Sequence, residues 1–268
     1  MTYRWRAIAV LLAFGFAVAA CTPKRPTLPT GPAPPFDGFE SAFSEASADC
    51  ATINSLTAAL GLSGRAGRTK LRGRIDAGFA APSDLRLEGV APFGKPVFVL
   101  VSRDDRATLV LPRDQRVLRD QPAAAIVEAL AGVALGAAEL RGLVAGCGLT
   151  MGTPTTGRVY ESGWVAVDAG ETTAYLRRID GRWRILGSSR GAITVLYSDF
   201  TGGRAATVRV QTTPPPGAAA ADLTLRMSQL EINVPLDRAV FEYAVPPDWA
   251  PLTLDELRRA GPLGGEGK

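Results

Sequence analysis

Apolar and polar residues alternate with a period of two along much of the chain, which predicts a protein built mainly from β-strands. Residues 71–79 alternate apolar positions with arginine and aspartate, and residues 84–89 repeat the pattern. Alternation of this kind is typical of strands that bury one face. Apolar runs follow at 97–102 and 106–112, and turns rich in Pro, Gly and Asp separate all four segments. The pattern of the first half therefore predicts an antiparallel meander.

Strand patterns return in the second half, between residues 163 and 211 and again at 223–234. Asp180-Gly181 is a hairpin signal between two of these strands. The run TTPPPGAAAAD at 212–222 predicts a loop. The segment VFEYAVPPDW at 240–249 is predicted to close the sheet, and LTLDELRRAG after it predicts a short helix.

Two regions show the three- and four-residue spacing of helices instead. Residues 39–62 predict one amphipathic helix, ended by Gly61 and Gly64. Residues 122–146 predict two short helices with a joint near 132–136. The expected fold class is therefore α+β: a large curved antiparallel sheet forms a half-open β-barrel, and helices plug one side. Residues 39–268 are expected to form this single domain.

The first twenty residues predict a secretory signal peptide. Two arginines precede fourteen uncharged residues at 7–20, and this run is shorter than the roughly 20 residues that a membrane-spanning helix needs. Val18-Ala19-Ala20-Cys21 resembles the bacterial lipobox. That resemblance implies an acylated Cys21 that anchors the chain in a membrane, and Thr22 after it favours the periplasmic face of the outer membrane. The alternative is an ordinary secretory signal with an accidental cysteine.

Residues 21–38 are predicted to form a tether between the anchor and the domain. Positions 22–38 contain six prolines and two glycines, a composition typical of extended linkers. Cys50 and Cys147 are the other two cysteines, and an exported protein reaches a compartment where disulfides persist. A disulfide between them would stabilise the fold by about 4–5 kcal/mol in the chain-entropy model. The alternative is a pair of buried free thiols.

Composition excludes several classes of function. The sequence contains no histidine, so Ser-His-Asp and Cys-His catalysis and histidine-containing metal sites are ruled out. Aromatic residues make up 7%, which disfavours nucleic-acid stacking platforms. Thirty Lys and Arg face 26 Asp and Glu, a small excess that indicates little about partners. Asp104, Asp105 and Asp199 accompany no catalytic motif. We therefore expect no enzyme, no cofactor, no metal and no nucleic-acid partner.

Three segments resemble the LolA/LolB-like superfamily of lipoprotein carriers, and most closely its LolB side. They are the lipobox, the strand-loop-strand LRLEGVAPFGKPVF at 85–98, and residues 129–146, which contain ALAGVAL and LRGLVAG. The resemblance implies an incomplete barrel, capped by helices, with an apolar interior that takes up acyl chains. It also implies a protruding apolar loop residue that contacts membrane or cargo, here Phe93 where the family has Leu. The alternative is a Phe93 that folds back onto the sheet.

The inward positions of the predicted barrel are candidates for an acyl-chain cavity. They are Ile75, Phe79, Leu87, Phe98, Leu100, Leu109, Leu111, Ile126 and Leu130. The same alternation fits an ordinary core filled by its own side chains, so that alternative stays open. A basic cluster of Arg65, Arg68, Lys70, Arg72 and Arg74 could contact lipid headgroups or could be a solvated strand face.

Two functions remain at this point. The first is an outer-membrane lipoprotein that binds acyl chains and transfers lipids or lipoproteins, as a monomer that receives cargo from a periplasmic carrier protein. The second is an envelope lipoprotein that uses the same barrel as a sensor or scaffold for protein binding. An open cavity favours the first function, and a filled barrel favours the second.

Overall fold

The computed structural model describes residues 27–90, 96–215 and 219–261. Fourteen strands in these residues form one sheet. The strands are β1 (Ser55–Ala66), β2 (Thr69–Ala80), β3 (Asp84–Val90), β4 (Val99–Arg103), β5 (Arg106–Leu111), β6 (Arg116–Pro122), β7 (Pro154–Val159), β8 (Val165–Ala169), β9 (Thr172–Ile179), β10 (Arg182–Arg190), β11 (Ile193–Thr201), β12 (Arg204–Thr212), β13 (Ala221–Ile232) and β14 (Ala250–Pro251).

The sheet consists of two meanders joined through their longest strands. Its order is β14-β6-β5-β4-β3-β2-β1-β13-β12-β11-β10-β9-β8-β7. Every pair is antiparallel except the short contact between β14 and β6. The two ends of the sheet do not pair with each other, so the barrel is open. This architecture confirms the predicted α+β fold with a large antiparallel sheet.

Four helices accompany the sheet in the described residues: α1 (Phe39–Ser47), α2 (Ala123–Ala131), α3 (Ala137–Ala145) and α4 (Leu254–Ala260). The α2–α3 pair confirms the two short helices and the joint that the sequence predicts. Buried residues of α2, α3 and α4 belong to the same apolar cluster as the inward side chains of the sheet. The helices therefore plug the open side of the barrel. No helix in the described ranges is long and apolar enough to cross a membrane.

The single helix predicted over residues 39–62 is wrong in its second half. Helix α1 ends at Ser47, a short 3-10 turn follows at Cys50–Thr52, and β1 begins at Ser55. Leu56 and Leu60 are four residues apart, a spacing that fits both a helix and one face of a strand. The intervening Ala58 is also buried, so the true period is two, and pairing with β2 and β13 settles the conformation.

The segment at 240–249 also differs from its prediction. It forms no strand but crosses the outer face of the first meander, where Tyr243, Val245 and Trp249 pack on outward valines of β4, β5 and β6. Pro246 and Pro247 lack the N–H groups that a strand needs to pair. The short β14 that follows covers the edge of β6.

Residues 27–38, which the sequence assigns to the tether, lie against the second meander. The Phe36 N–H donates to the Gly157 carbonyl at 2.9 Å, and the Val159 N–H donates to the Pro34 carbonyl at 3.0 Å. These bonds cover the free edge of β7. Cys50 and Cys147 form a disulfide that joins the 3-10 turn to the end of α3. The predicted signal peptide and Cys21 lie outside the described residues.

Candidate functional site

An apolar cavity of about 230 Å³ opens at the end of the barrel that carries the β1–β2 turn. Strands β1 to β4 form one wall, and the last turn of α2 forms the other. The start of β2 and the end of β3 lie at this end of the barrel, so the cavity adjoins residues of both. Its lining consists of Leu62, Leu71, Arg72, Gly73, Arg74, Ile75, Leu87, Gly89, Val90, Val97, Phe98, Leu100, Val127, Leu130 and Ala131.

The structure divides the nine sequence-predicted cavity residues into two groups. Five of them line this cavity: Ile75, Leu87, Phe98, Leu100 and Leu130. The others do not. Phe79, Leu109 and Ile126 are fully buried within the core, and Leu111 packs partly buried against it. The barrel interior is therefore filled by its own side chains in one part and empty in another.

Several lining residues do not follow from the sequence pattern. The helix predicted over residues 39–62 includes Leu62, whose inward position on β1 appears only in the structure. Val127 is four residues before Ala131 on α2, and both face the cavity with Leu130. The three- and four-residue spacing at the end of α2 was a usable signal for that wall.

Two glycines shape the cavity. Gly73 faces inward on β2, because it lies opposite Leu62 in the ladder, and a Cβ placed there would meet no atom within 4 Å. Gly89 has the opposite property, since a Cβ there would lie 2.5 Å from the Phe98 ring. The Phe98 ring therefore packs directly on the Gly89 backbone. Gly73 leaves space open, and Gly89 lets an aromatic side chain form the wall.

The mouth of the cavity combines apolar and cationic side chains. Val90 and Val97 are each 38% exposed, and both line the cavity. They flank residues 91–95, which include Phe93 and lie outside the described residues. Arg72 and Arg74 stand at the same mouth and are exposed. The site therefore offers an apolar interior, and the arginines at its border belong to the outer face of β2.

Other concave regions differ in chemistry. A groove of about 500 Å³ on the outer face is lined mainly by polar and small side chains. In it, Arg74 pairs with Asp76 and Arg86 pairs with Glu88. Across residues 27–90, 96–215 and 219–261, no group of three or more His, Cys, Asp or Glu is placed to hold a metal ion. The cavity beside α2, in contrast to this groove, has a mostly apolar lining.

Comparison with known proteins gives the fold. The sequence matches no protein-family model and no curated protein. A LolA superfamily protein from Nitrosomonas europaea superposes with a TM-score of 0.50 and 10% identity over 76% of this chain and 95% of that one. The chain has the LolA-superfamily fold. The resemblance seen in the sequence is thereby confirmed at the level of fold, while a LolB-like role stays a prediction.

Two further structures match at lower similarity. A DUF1329 family protein from Desulfovibrio piger gives a TM-score of 0.46 and 14% identity, covering 78% of this chain and 98% of that one. The lipoprotein LppX from Mycobacterium tuberculosis gives 0.31 and 13%, covering 75% and 99%.

Proposed function

We propose that the chain binds an acyl chain of a lipid or lipoprotein in the cavity between α2 and strands β1–β4. The observation that carries the proposal is an open, mostly apolar cavity at the mouth of a LolA-like barrel. Binding of this kind needs no bond-making, because removal of apolar surface from water drives it. In the wider proposal, the acylated Cys21 anchors the protein at the outer membrane and Phe93 contacts membrane or cargo during transfer from a periplasmic carrier.

The size of the cavity sets what it can hold. About 230 Å³ corresponds to roughly eight groups of about 30 Å³, the volume of one water molecule. At about 0.8 kcal/mol per buried CH₂, eight methylenes contribute about 6 kcal/mol before any ordering cost. The cavity as it stands therefore holds part of a long acyl chain, and the rest lies toward the mouth between Val90 and Val97. Release then requires a competing apolar environment, which a membrane supplies.

The decisive measurement is mass spectrometry of lipids that copurify with the exported chain, produced with Cys21→Ser so that no lipid is attached covalently. We expect acyl lipid to copurify with the chain that carries no substitution in the cavity. Gly73→Leu should remove most of it, because the new side chain projects into the empty space without a clash at Cβ. The fold should persist, since leucine fits a strand at this position.

Gly78→Leu is the matched control for this variant. Gly78 lies on the same strand, a Cβ there also meets no atom within 4 Å, and the residue lines the outer-face groove instead of the cavity. It should keep the lipid. An unmodified chain without copurified lipid, or equal lipid in the Gly73→Leu and Gly78→Leu variants, would reject the acyl-binding site. The filled part of the barrel around Phe79, Leu109 and Ile126 would then favour the scaffold function.

A further inference from the structure

The outer face of the central strands is strongly basic in the half nearest the cavity mouth. The ladder places Arg65 opposite Lys70, and Arg72 and Arg74 follow on the same face of β2. Arg226 of β13 and Arg209 of β12 continue this row across the sheet. With Arg68 in the β1–β2 turn, these seven side chains are called the basic face. At about 4.8 Å between strands, it spans roughly 14 Å across the sheet.

Few carboxylates neutralise this face. Asp222 accepts hydrogen bonds from Arg209, and Asp76 pairs with Arg74 at 3.1 Å. Lys70, Arg72 and Arg226 have no carboxylate partner in the part of the chain that the structure describes. The face thus carries seven cations against two carboxylates, whereas the whole chain has an excess of only four. The rest of the protein is therefore close to neutral, and the positive charge is concentrated here.

The position of the basic face is also distinctive. Residues 240–249 cover the outer side of β4–β6, and Leu28 packs at Gly187 on the outer side of β10. Leu236 and Val240 border the other half of the central strands, and no described segment is placed over the half that carries the basic face. Arg65 has the like charge of Lys70 directly opposite on β2, which destabilises a sheet, and Asp222 opposite it on β13. A surface that accepts this cost and stays uncovered is suited to binding an anionic partner.

We propose that the basic face binds the phosphate groups of an anionic phospholipid bilayer and so holds the cavity mouth against the membrane. Arg72 and Arg74 belong both to this face and to the lining of the cavity mouth. Phosphates bound at these two arginines would therefore lie beside the opening through which an acyl chain passes. Salt screens the attraction beyond about 8 Å at physiological ionic strength. All the cations of the basic face therefore interact with phosphates only when that face lies close to the bilayer surface.

Vesicle sedimentation tests this surface with the exported Cys21→Ser chain. The probes are phosphatidylcholine vesicles and vesicles of phosphatidylcholine and phosphatidylglycerol in equal parts. We expect binding to the anionic vesicles only, and weaker binding as salt is added. Arg65→Gln/Lys70→Gln should reduce the partition coefficient about 25-fold, because each cation near the surface contributes a factor of about five. Neither residue lines the cavity. The variant relieves the like-charge pair but loses the exposed hydrogen bond from Arg65 to the Arg68 carbonyl, so its thermal stability should change little.

Arg119→Gln/Arg177→Gln is the control, because both arginines are exposed on flanking strands and removing them changes the net charge equally. It should bind anionic vesicles as the parent does. Equal binding to both vesicle types, or an equal loss in the two double variants, would overturn the proposal. A chain that does not bind the anionic vesicles would reject the proposal and favour an acidic protein as the partner of the basic face. Copurified lipid is measured in the same samples, so failure of the basic face and failure of the cavity give different results.

Discussion

At the scale of single residues, Tyr197 shows how one buried polar group fixes the junction between a helix and the sheet. Its hydroxyl donates to the Leu143 carbonyl and accepts from the Gly148 N–H, both at 2.9 Å. Burial raises the pKa of Tyr197, so the phenol stays neutral and can donate. The bonds tie the end of α3 to β11, and through Cys147 the same turn is joined to the 3-10 turn after α1.

Tyr197→Phe should lower the free energy of unfolding by about 1–3 kcal/mol, because the Gly148 N–H loses its partner in a buried place. The ring itself is retained, so the packing is almost unchanged. Denaturant unfolding measures the difference. Tyr175→Phe serves as the control, since Tyr175 is only partly buried. Equal stabilities of the two variants would show that the buried hydroxyl contributes nothing.

At the scale of elements, α4 illustrates a short helix held by its first turn. Thr253 and Glu256 form a capping box, and Glu256 also accepts a hydrogen bond from Arg116 of β6 at 3.0 Å. Hydrogen bonds from the Thr253 backbone, from Arg116 and from the Thr253 hydroxyl lower the pKa of Glu256 from 4.5 to about 2. The charged carboxylate therefore connects the helix to the edge of the sheet.

The lowered pKa predicts a pH dependence with a definite sign. A carboxyl whose pKa is lower in the folded state stabilises the protein above pH 4.5, and this contribution is lost as the pH falls toward 2. The parent should therefore have a higher melting temperature than Glu256→Gln at neutral pH, and the gap should narrow between pH 4.5 and 2. Asp255→Asn, in the same helical turn, is the control. A gap that does not change with pH would contradict the role of the carboxylate.

The sequence predicted most elements, and its errors have physical causes. The hairpins of β2–β5 and the α2–α3 pair were predictable because one period dominates each segment. Residues 55–66 were not, because Leu56 and Leu60 satisfy the helical and the strand period together. Four of the fifteen lining residues, Ile75, Leu87, Phe98 and Leu100, followed from strand alternation. The open space at Gly73 did not, because an empty position and a filled one have the same pattern of polarity.

At the scale of the whole molecule, the two ends of the described chain cover opposite halves of the sheet. Residues 34–36 pair with the edge of β7, and Leu28 packs farther along the outer face. At the other end, Arg86 donates to the Val240 carbonyl at 2.8 Å, and β14 pairs with the edge of β6. Covered edges matter because an unpaired edge strand invites association with another chain.

The segment at 240–249 also shields apolar surface, and this leads to a prediction about solubility. Val99, Val101, Val110 and Val117 face outward and are buried by the side chains of this segment. Replacing the two aromatic residues in Tyr243→Ser/Trp249→Ser removes much of that cover. At about 25 cal/mol per Å² of lost apolar burial, the free energy of unfolding should fall by about 2–4 kcal/mol.

The exposed valines would form a continuous apolar patch, so the variant should also self-associate. Light scattering measures the self-association, and denaturant unfolding measures the stability. Tyr175→Ser replaces a partly buried aromatic on the other meander and should leave the protein dispersed. If the double variant stays as dispersed and as stable as Tyr175→Ser, the segment does not protect the sheet. Loss of stability without self-association would mean that it contributes packing energy but that the valines alone are too small a patch to bind another copy.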